Sequence, residues 1–149
     1  MIGIVDYESG NLGSVSNACR FLEIEAKIIQ RPEELDRCQA MILPGVGAFG
    51  DCVDKLAGHG FAEPVVDWIA AGKPFLGICV GLQILFEGSE EAPDSKGLGV
   101  LPGMIRKFDV PEEMKVPQIG WNRVRQCRPD CPLFDNIPDE SWFYFVHSY

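Results

Sequence analysis

The amino-acid sequence predicts an α/β fold: three layers, with a mostly parallel sheet between helices on both faces and antiparallel additions in the C-terminal third. Three observations carry this expectation. Short apolar runs recur at residues 2–5, 26–29, 40–43 and 75–78. A run without polar alternation is what a strand buried on both faces requires. Segments of helical spacing lie between these runs, and strands alternating with helices imply parallel pairing through crossovers. Beyond about Glu87, Gly, Pro and charged residues become frequent and the strand signals shorten.

Ile2–Val5 reads as the first strand. Turn-forming residues follow at 8–12 (Glu-Ser-Gly-Asn-Leu), and Val15, Ala18, Cys19 and Leu22 then share a helical stripe. Ala26–Ile29 reads as the second strand, and Arg31-Pro32 opens a short helix through Leu35. Residues 40–43 form a third strand, which Pro44 is expected to end. The clearest helix spans 61–71. Phe61, Val65 and Ile69 share one face, and Pro64 lies in the first turn, where its missing N–H does no harm. Gly72 is placed just past the helix end, with Pro74 beyond it. Residues 75–78 are expected to be a fourth buried strand and 80–86 a further helix. Shorter strands are expected at 104–108, 120–125 and 142–146. The chain reads as a single domain over 1–149, without internal repeats, and that length can enclose one substantial core.

Composition narrows the function. Hydrophobic residues make up 46% and charged residues 23%, an ordinary globular balance. The net charge of −9 repels phosphate backbones, which argues against a nucleic-acid partner. No apolar run approaches the ~20 residues that span a bilayer, and the N-terminus lacks a secretory pattern. A cytoplasmic, membrane-free protein is therefore expected. Arg123, Arg125 and Arg128 form a small basic cluster, either a solvated strand face or a contact for an acidic partner.

Six cysteines need an account. Without a secretory signal a disulfide framework is not expected. Cys127 and Cys131 are close, but two histidines and no C-x-x-C make poor material for a metal site. Cys19, Cys38 and Cys52 are read as small buried apolar residues. Cys79 differs, because Gly77-Ile78-Cys79-Val80-Gly81 lies between an apolar strand and an apolar helix. A strand turning sharply into a helix lifts the intervening residue above the carboxyl edge of a sheet and crowds its neighbours. Small residues are then needed two before and two after, as in the serine form G-x-S-x-G. At a helix start the thiolate is favoured, and the N–H of Val80 points toward an oxyanion on a substrate attacked by Cys79. The competing reading is a buried cysteine whose glycines merely allow close packing.

Three further features are candidates. Gln83, four residues after Cys79, falls on the same helical face, either to bond a substrate or simply exposed. Residues 44–50 (Pro-Gly-Val-Gly-Ala-Phe-Gly) would bare backbone N–H groups at the sheet edge where ligands of doubly wound folds bind. They could supply a second oxyanion donor, and no G-x-x-x-x-G-K-[ST] supports a phosphate loop. His147 is a candidate base for a Cys–His pair, or else a strand-end histidine with a structural hydrogen bond. His59 reads as a surface turn residue.

Together, Pro44-Gly45-Val46-Gly47, residues 77–83 (Gly-Ile-Cys-Val-Gly-Leu-Gln), Gly120-Trp121-Asn122 and residues 144–149 (Tyr-Phe-Val-His-Ser-Tyr) make the chain resemble the class I, or triad-type, glutamine amidotransferases. Within them it is most similar to the glutaminase subunits of imidazole glycerol phosphate synthase, from histidine biosynthesis. The resemblance runs from Met1 to Tyr149 without a gap. It implies a flavodoxin-like sheet, and attack by Cys79 on the side-chain amide of glutamine. A γ-glutamyl thioester would form and ammonia would leave. The N–H groups of Val46 and Val80 would hold the oxyanion. Gly47, Gln83 and the backbone at Ser148 and Tyr149 would bind the glutamine. No cofactor and no metal is implied. Ammonia would pass to a (β/α)8-barrel cyclase partner docked near Asn11, Trp121, Asn122 and Tyr144.

In that family the base is a histidine in a His-Pro-Glu sequence beyond the counterpart of residues 144–149, with the Glu orienting it. His147 is therefore not the family's base. The sequence as given, ending at Tyr149, is expected to lack the family's C-terminal segment and to have no useful glutaminase turnover. Two rival readings stand beside this one. Another cysteine hydrolase with the same elbow, such as a γ-glutamyl hydrolase or a DJ-1-like protein, needs no ammonia acceptor. A flavodoxin-like binding module would use the glycine loops to hold flavin phosphate.

Overall fold

Four parallel strands, β1 (Ile2–Val5), β2 (Ala26–Ile29), β3 (Ala40–Gly45) and β4 (Phe75–Cys79), form one sheet in the order β2-β1-β3-β4. This computed structural model describes every residue except Pro129. Ile4 stands beside Ile28 on one side and Ile42 on the other, and Gly45 stands beside Cys79. Because side chains alternate along a strand, Val5, Ile29, Met41 and Leu43 share one face of the sheet while Ile4 and Ile42 share the other.

The first face is closed. Helix α2 (Phe49–Gly58), helix α3 (Ala62–Ala70) and a 3-10 turn at Pro32–Arg37 bury Phe49, Cys52, Leu56, Phe61, Val65, Trp68 and Leu35 against it. Each such aliphatic or aromatic side chain contributes about 1.5–3 kcal/mol on burial. Trp68 also satisfies its ring N–H, which donates to the Pro74 carbonyl at 3.0 Å. The second face is covered by helix α1 (Leu12–Phe21), whose Cys19, Leu12 and Val15 pack with Ile4 and Ile42. Asn11 caps α1, its side-chain oxygen accepting the Ser14 N–H at 3.0 Å.

Four expectations change here. Residues 44–50 do not stay a loop: α2 begins at Phe49, and Phe49, Cys52, Val53 and Leu56 lie on its packed side. Their i, i+3, i+4, i+7 spacing was masked by the surrounding glycines. Pro44 does not end β3; it pairs with Ile78. The β1–β3 ladder stops at Ile42, so β3 has one neighbour by that point and the missing N–H is tolerated. Residues 75–78 are not fully buried. β4 is an edge strand of this sheet, and Leu76 and Ile78 are 39% and 37% exposed. The helix after Cys79 is one turn, α4 (Val80–Gln83), followed by i→i+3 bonds from Leu85 and Phe86.

Beyond α4 the shorter strands do not extend the parallel sheet. β5 (Gly88–Ser89), β6 (Ala92–Lys96) and β7 (Met104–Ile105) make a separate mixed sheet in the order β6-β5-β7. These elements belong to a first compact unit, Met1–Arg106; a second comprises Lys107–Tyr149. The second unit is built on an antiparallel pair, β8 (Gln118–Val124) and β9 (Ser141–His147), in which Trp121 faces Tyr144 and Gln118 faces His147. Among the described residues no helix is long and apolar enough to cross a membrane.

Candidate active site

Cys79 is the last residue of β4 and the residue from which α4 starts. Its φ is 55° and its ψ −122°, an arrangement that costs a non-glycine residue on the order of 1–3 kcal/mol. Backbone contact enforces the turn. A Cβ on Gly77 would lie 2.8 Å from the Gly81 carbonyl oxygen and from Leu82 Cα. A Cβ on Gly81 would run into the Leu43 carbonyl. Both flanking glycines are therefore required by close approach of backbone, and Cys79 is left exposed at the carboxyl edge of the sheet.

The neighbouring loop meets the same turn. Gly45 pairs with Cys79, and a Cβ there would lie 2.5 Å from the Gly81 nitrogen and 2.9 Å from Tyr7 Oη. The backbone of β3 thus rests on the first turn of α4. Val46 and Gly47 follow at the surface, Gly47 with φ +108° and open space where a Cβ would point. The N–H of Val80 opens α4, where no carbonyl lies one turn behind to accept it.

Beneath this loop lies a buried polar group that the sequence reading did not single out. Tyr7 Oη donates to the Pro44 carbonyl at 2.8 Å, and Ser9 Oγ donates to the Val46 carbonyl at 2.7 Å. Ser9 Oγ also lies 3.0 Å from Cys52 Sγ, which itself reaches the Val46 carbonyl at 3.6 Å. Burial pushes the Cys52 thiol up, and burial together with the adjacent Cys52 pushes the Tyr7 hydroxyl far above the ordinary phenol range. Both groups are held neutral. At the start of α2 the Phe49 N–H donates to Glu91 Oε2 at 2.8 Å, which fixes the loop's far end. Tyr7 and Ser9 lie just past the carboxyl end of β1, the edge where this architecture binds ligands; that position was the one available signal.

Gln83, the last residue of α4, is half-buried one turn after Cys79. Val46, Gly47, Cys79, Val80 and Gln83 therefore all lie in the first unit. The remaining candidates, Ser148, Tyr149, Trp121, Asn122 and Tyr144, lie in the second. There Trp121 and Tyr144 are 64% and 56% exposed and stack edge to face at 5.5 Å. Asn11, in the first unit, uses its side chain to cap α1. His147 is engaged at both ring nitrogens: Nδ1 lies 2.9 Å from the Tyr149 carbonyl and Nε2 3.1 Å from Gln118 Oε1. Phe108 packs edge-on against the ring at 4.8 Å. His59 closes α2, 3.8 Å from Glu8. Among the described residues no cluster of three His, Cys, Asp or Glu side chains is placed to hold a metal ion.

Comparison with known proteins places this geometry. Residues 3–149 match the family described as glutamine amidotransferase class-I. Imidazole glycerol phosphate synthase subunit HisH of Desulfitobacterium hafniense (strain DSM 10664 / DCB-2) is 50% identical over 149 residues, covering 100% of this chain and 69% of the relative. The Nostoc punctiforme subunit HisH is 43% identical, with 70% of its length covered. Imidazole glycerol phosphate synthase hisHF of Schizosaccharomyces pombe is 46% identical over the whole chain, which covers 27% of that relative. Among solved structures, a glutamine amidotransferase superposes with a TM-score of 0.61 at 25% identity, over 71% of this chain and 56% of that one. A putative peptidase E protein from Listeria monocytogenes shares the fold, at 13% identity and a TM-score of 0.55 over 67% of this chain and 62% of that one.

Proposed function

The chain belongs to the class-I glutamine amidotransferases, among the HisH subunits of imidazole glycerol phosphate synthase, and from that premise we propose that Cys79 is the nucleophile of its glutaminase reaction. The observation that carries this reading is the pairing of the strained, exposed Cys79 with Gly45, the residue directly before Val46 and Gly47.

The sulfur of Cys79 adds to the side-chain amide carbon of glutamine, and the carbonyl oxygen becomes an oxyanion. The N–H groups of Val80 and Val46 receive that charge. Collapse breaks the carbon–nitrogen bond. Ammonia leaves with the thiol's proton, and the γ-glutamyl group stays on sulfur as a thioester, which water then hydrolyses to glutamate. Gly47, Gln83 and the backbone of Ser148 and Tyr149 hold the glutamine in this reading. His147 is not assigned as the base, because Nδ1 is committed to the Tyr149 carbonyl and Nε2 to Gln118. Neither His147 nor His59 is followed by Pro-Glu.

The ammonia is proposed to pass to a (β/α)8-barrel cyclase partner, giving a cytoplasmic heterodimeric enzyme. Two observations support a partner. The relatives are named as synthase subunits, and in hisHF most of the protein lies outside the matched 27%. The exposed Trp121–Tyr144 pair, with Asn122 beside it, is an aromatic surface of the kind that anchors interfaces. Asn11 is assigned to the interface as well. Docking must be close, because ammonia lost to water near neutral pH is protonated and no longer nucleophilic.

The test is to incubate the chain with glutamine, quench in acid and map acylated cysteines by peptide mass spectrometry. A γ-glutamyl adduct is expected on Cys79. Cys79→Ala should lower total adduct by at least about 10³-fold, as loss of a nucleophile does. An adduct that persists on another cysteine, or none on intact Cys79, would defeat the proposal.

A further inference from the structure

We propose that Ser9 is a positioning residue for the substrate-facing loop, acting through the Val46 carbonyl; the inference rests on the glutaminase reading above. Ser9 is 8% exposed, and its hydroxyl is its only means of reaching the loop. That hydroxyl donates to the Val46 carbonyl at 2.7 Å while lying 3.0 Å from the buried Cys52 sulfur. The Val46 carbonyl is thereby drawn toward the segment after β1 and toward α2.

A trans peptide is planar, so its N–H points opposite to its carbonyl. With the carbonyl of Val46 held by Ser9, the N–H of Gly47 is turned the other way. β3 lies between β1 and β4, and Gly45 pairs with Cys79 on the β4 side. The Gly47 N–H is therefore presented on the side of the loop where Cys79 stands. The opposite orientation of this peptide would offer a carbonyl oxygen there, which repels a developing oxyanion. Besides the longer contact of the Cys52 thiol with the same carbonyl, at 3.6 Å, the loop is open here. Val46 is 52% exposed, and Gly47, at φ +108° with open space around it, rotates more freely than any other residue type. Tyr7 fixes the preceding carbonyl, that of Pro44, at 2.8 Å, so Ser9 is the last anchor before the loop becomes surface.

The experiment compares two reagents on the 149-residue chain, with Cys79 labelling read by peptide mass spectrometry. A chloroketone analogue of glutamine places a carbonyl where the amide carbonyl would sit, whereas iodoacetamide reports thiol reactivity alone. The wild type is expected to react with the chloroketone saturably and with protection by glutamine. Ser9→Ala should slow chloroketone labelling about tenfold, the scale of one lost hydrogen bond, and leave the iodoacetamide rate within about twofold. Ser9→Thr should restore the chloroketone rate. The pair Ser9→Thr and Ser9→Val repeats the test at constant shape should the alanine variant fail to fold. An unchanged chloroketone rate in Ser9→Ala, or equal slowing by both reagents, overturns the role assigned to Ser9. Wild-type labelling that glutamine does not protect overturns the glutaminase reading itself, and the proposal with it.

Discussion

Cys79 and His147 both end a strand, and their surroundings are opposite. Cys79 stands exposed at positive φ, flanked by glycines whose backbone is in contact with neighbouring strands and with α4. His147 sits in a regular antiparallel ladder, half-buried, with Phe108 against its ring and a partner at each ring nitrogen. A strained residue persists only where its surroundings over-determine it. At Cys79 three glycine contacts do so; at His147 there is no strain to maintain. The comparison separates a strained, exposed side chain from one committed to structure, although both are residue types able to act in cysteine hydrolysis.

Three measurements would break or sharpen it. The largest effect is expected from Gly81→Ala. The new methyl meets the Leu43 carbonyl, and overpacking against backbone costs about 3 kcal/mol. Urea unfolding should show that loss, together with loss of glutamine-protected labelling at Cys79. A variant of wild-type stability would mean that the elbow is not held by backbone contact.

The second concerns the neutral groups under the loop. Burial raises the pKa of Cys52 and of Tyr7 in the folded state, so both favour the protonated form there. Their contribution to stability is complete below the ordinary thiol value of about 8.5–9. It falls as pH rises above that value, because the unfolded chain releases the protons first. The urea midpoint should therefore decline from about pH 9 upward, and Cys52→Ala should flatten the first part of that decline. A midpoint rising with alkali would contradict the burial assigned to this group.

The smallest effect is expected from His147→Ala. Thioester formation on Cys79 should stay within about twofold, and stability should fall by roughly 1 kcal/mol for the lost hydrogen bonds. A loss of several orders of magnitude in acylation would make His147 the base and reverse the comparison.

Much of this arrangement was legible in the residues. Apolar runs marked β1 through β4, and Pro64 and Gly72 marked the ends of α3 to within a residue. The G-x-C-x-G spacing stated the elbow because five consecutive residues supply the strand end, the exposed cysteine and both glycines, although the Leu43 carbonyl that crowds Gly81 lies on a distant strand. What stayed hidden depended on distant partners. α2 carried an adequate apolar spacing, but Gly50 argued for a loop. Gly50 is accommodated because Ser95, on β6, occupies the space a side chain would need. The exposure of Leu76 and Ile78 could not be read from an apolar run, which looks the same on an edge strand as on a central one.

By itself the sequence determined a parallel α/β sheet and a cysteine at its carboxyl edge, because hydrophobic period and glycine spacing act over a few residues. Only the tertiary structure decided what holds the loop beside that cysteine. Tyr7 and Ser9 lie 37 residues from the carbonyls they bind, and Cys52 lies 43 residues from Ser9. No local pattern links such positions. They meet because β1 and β3 are neighbours in the sheet and α2 folds back over its closed face, and that juxtaposition anchors the glycine-rich turn through its carbonyls.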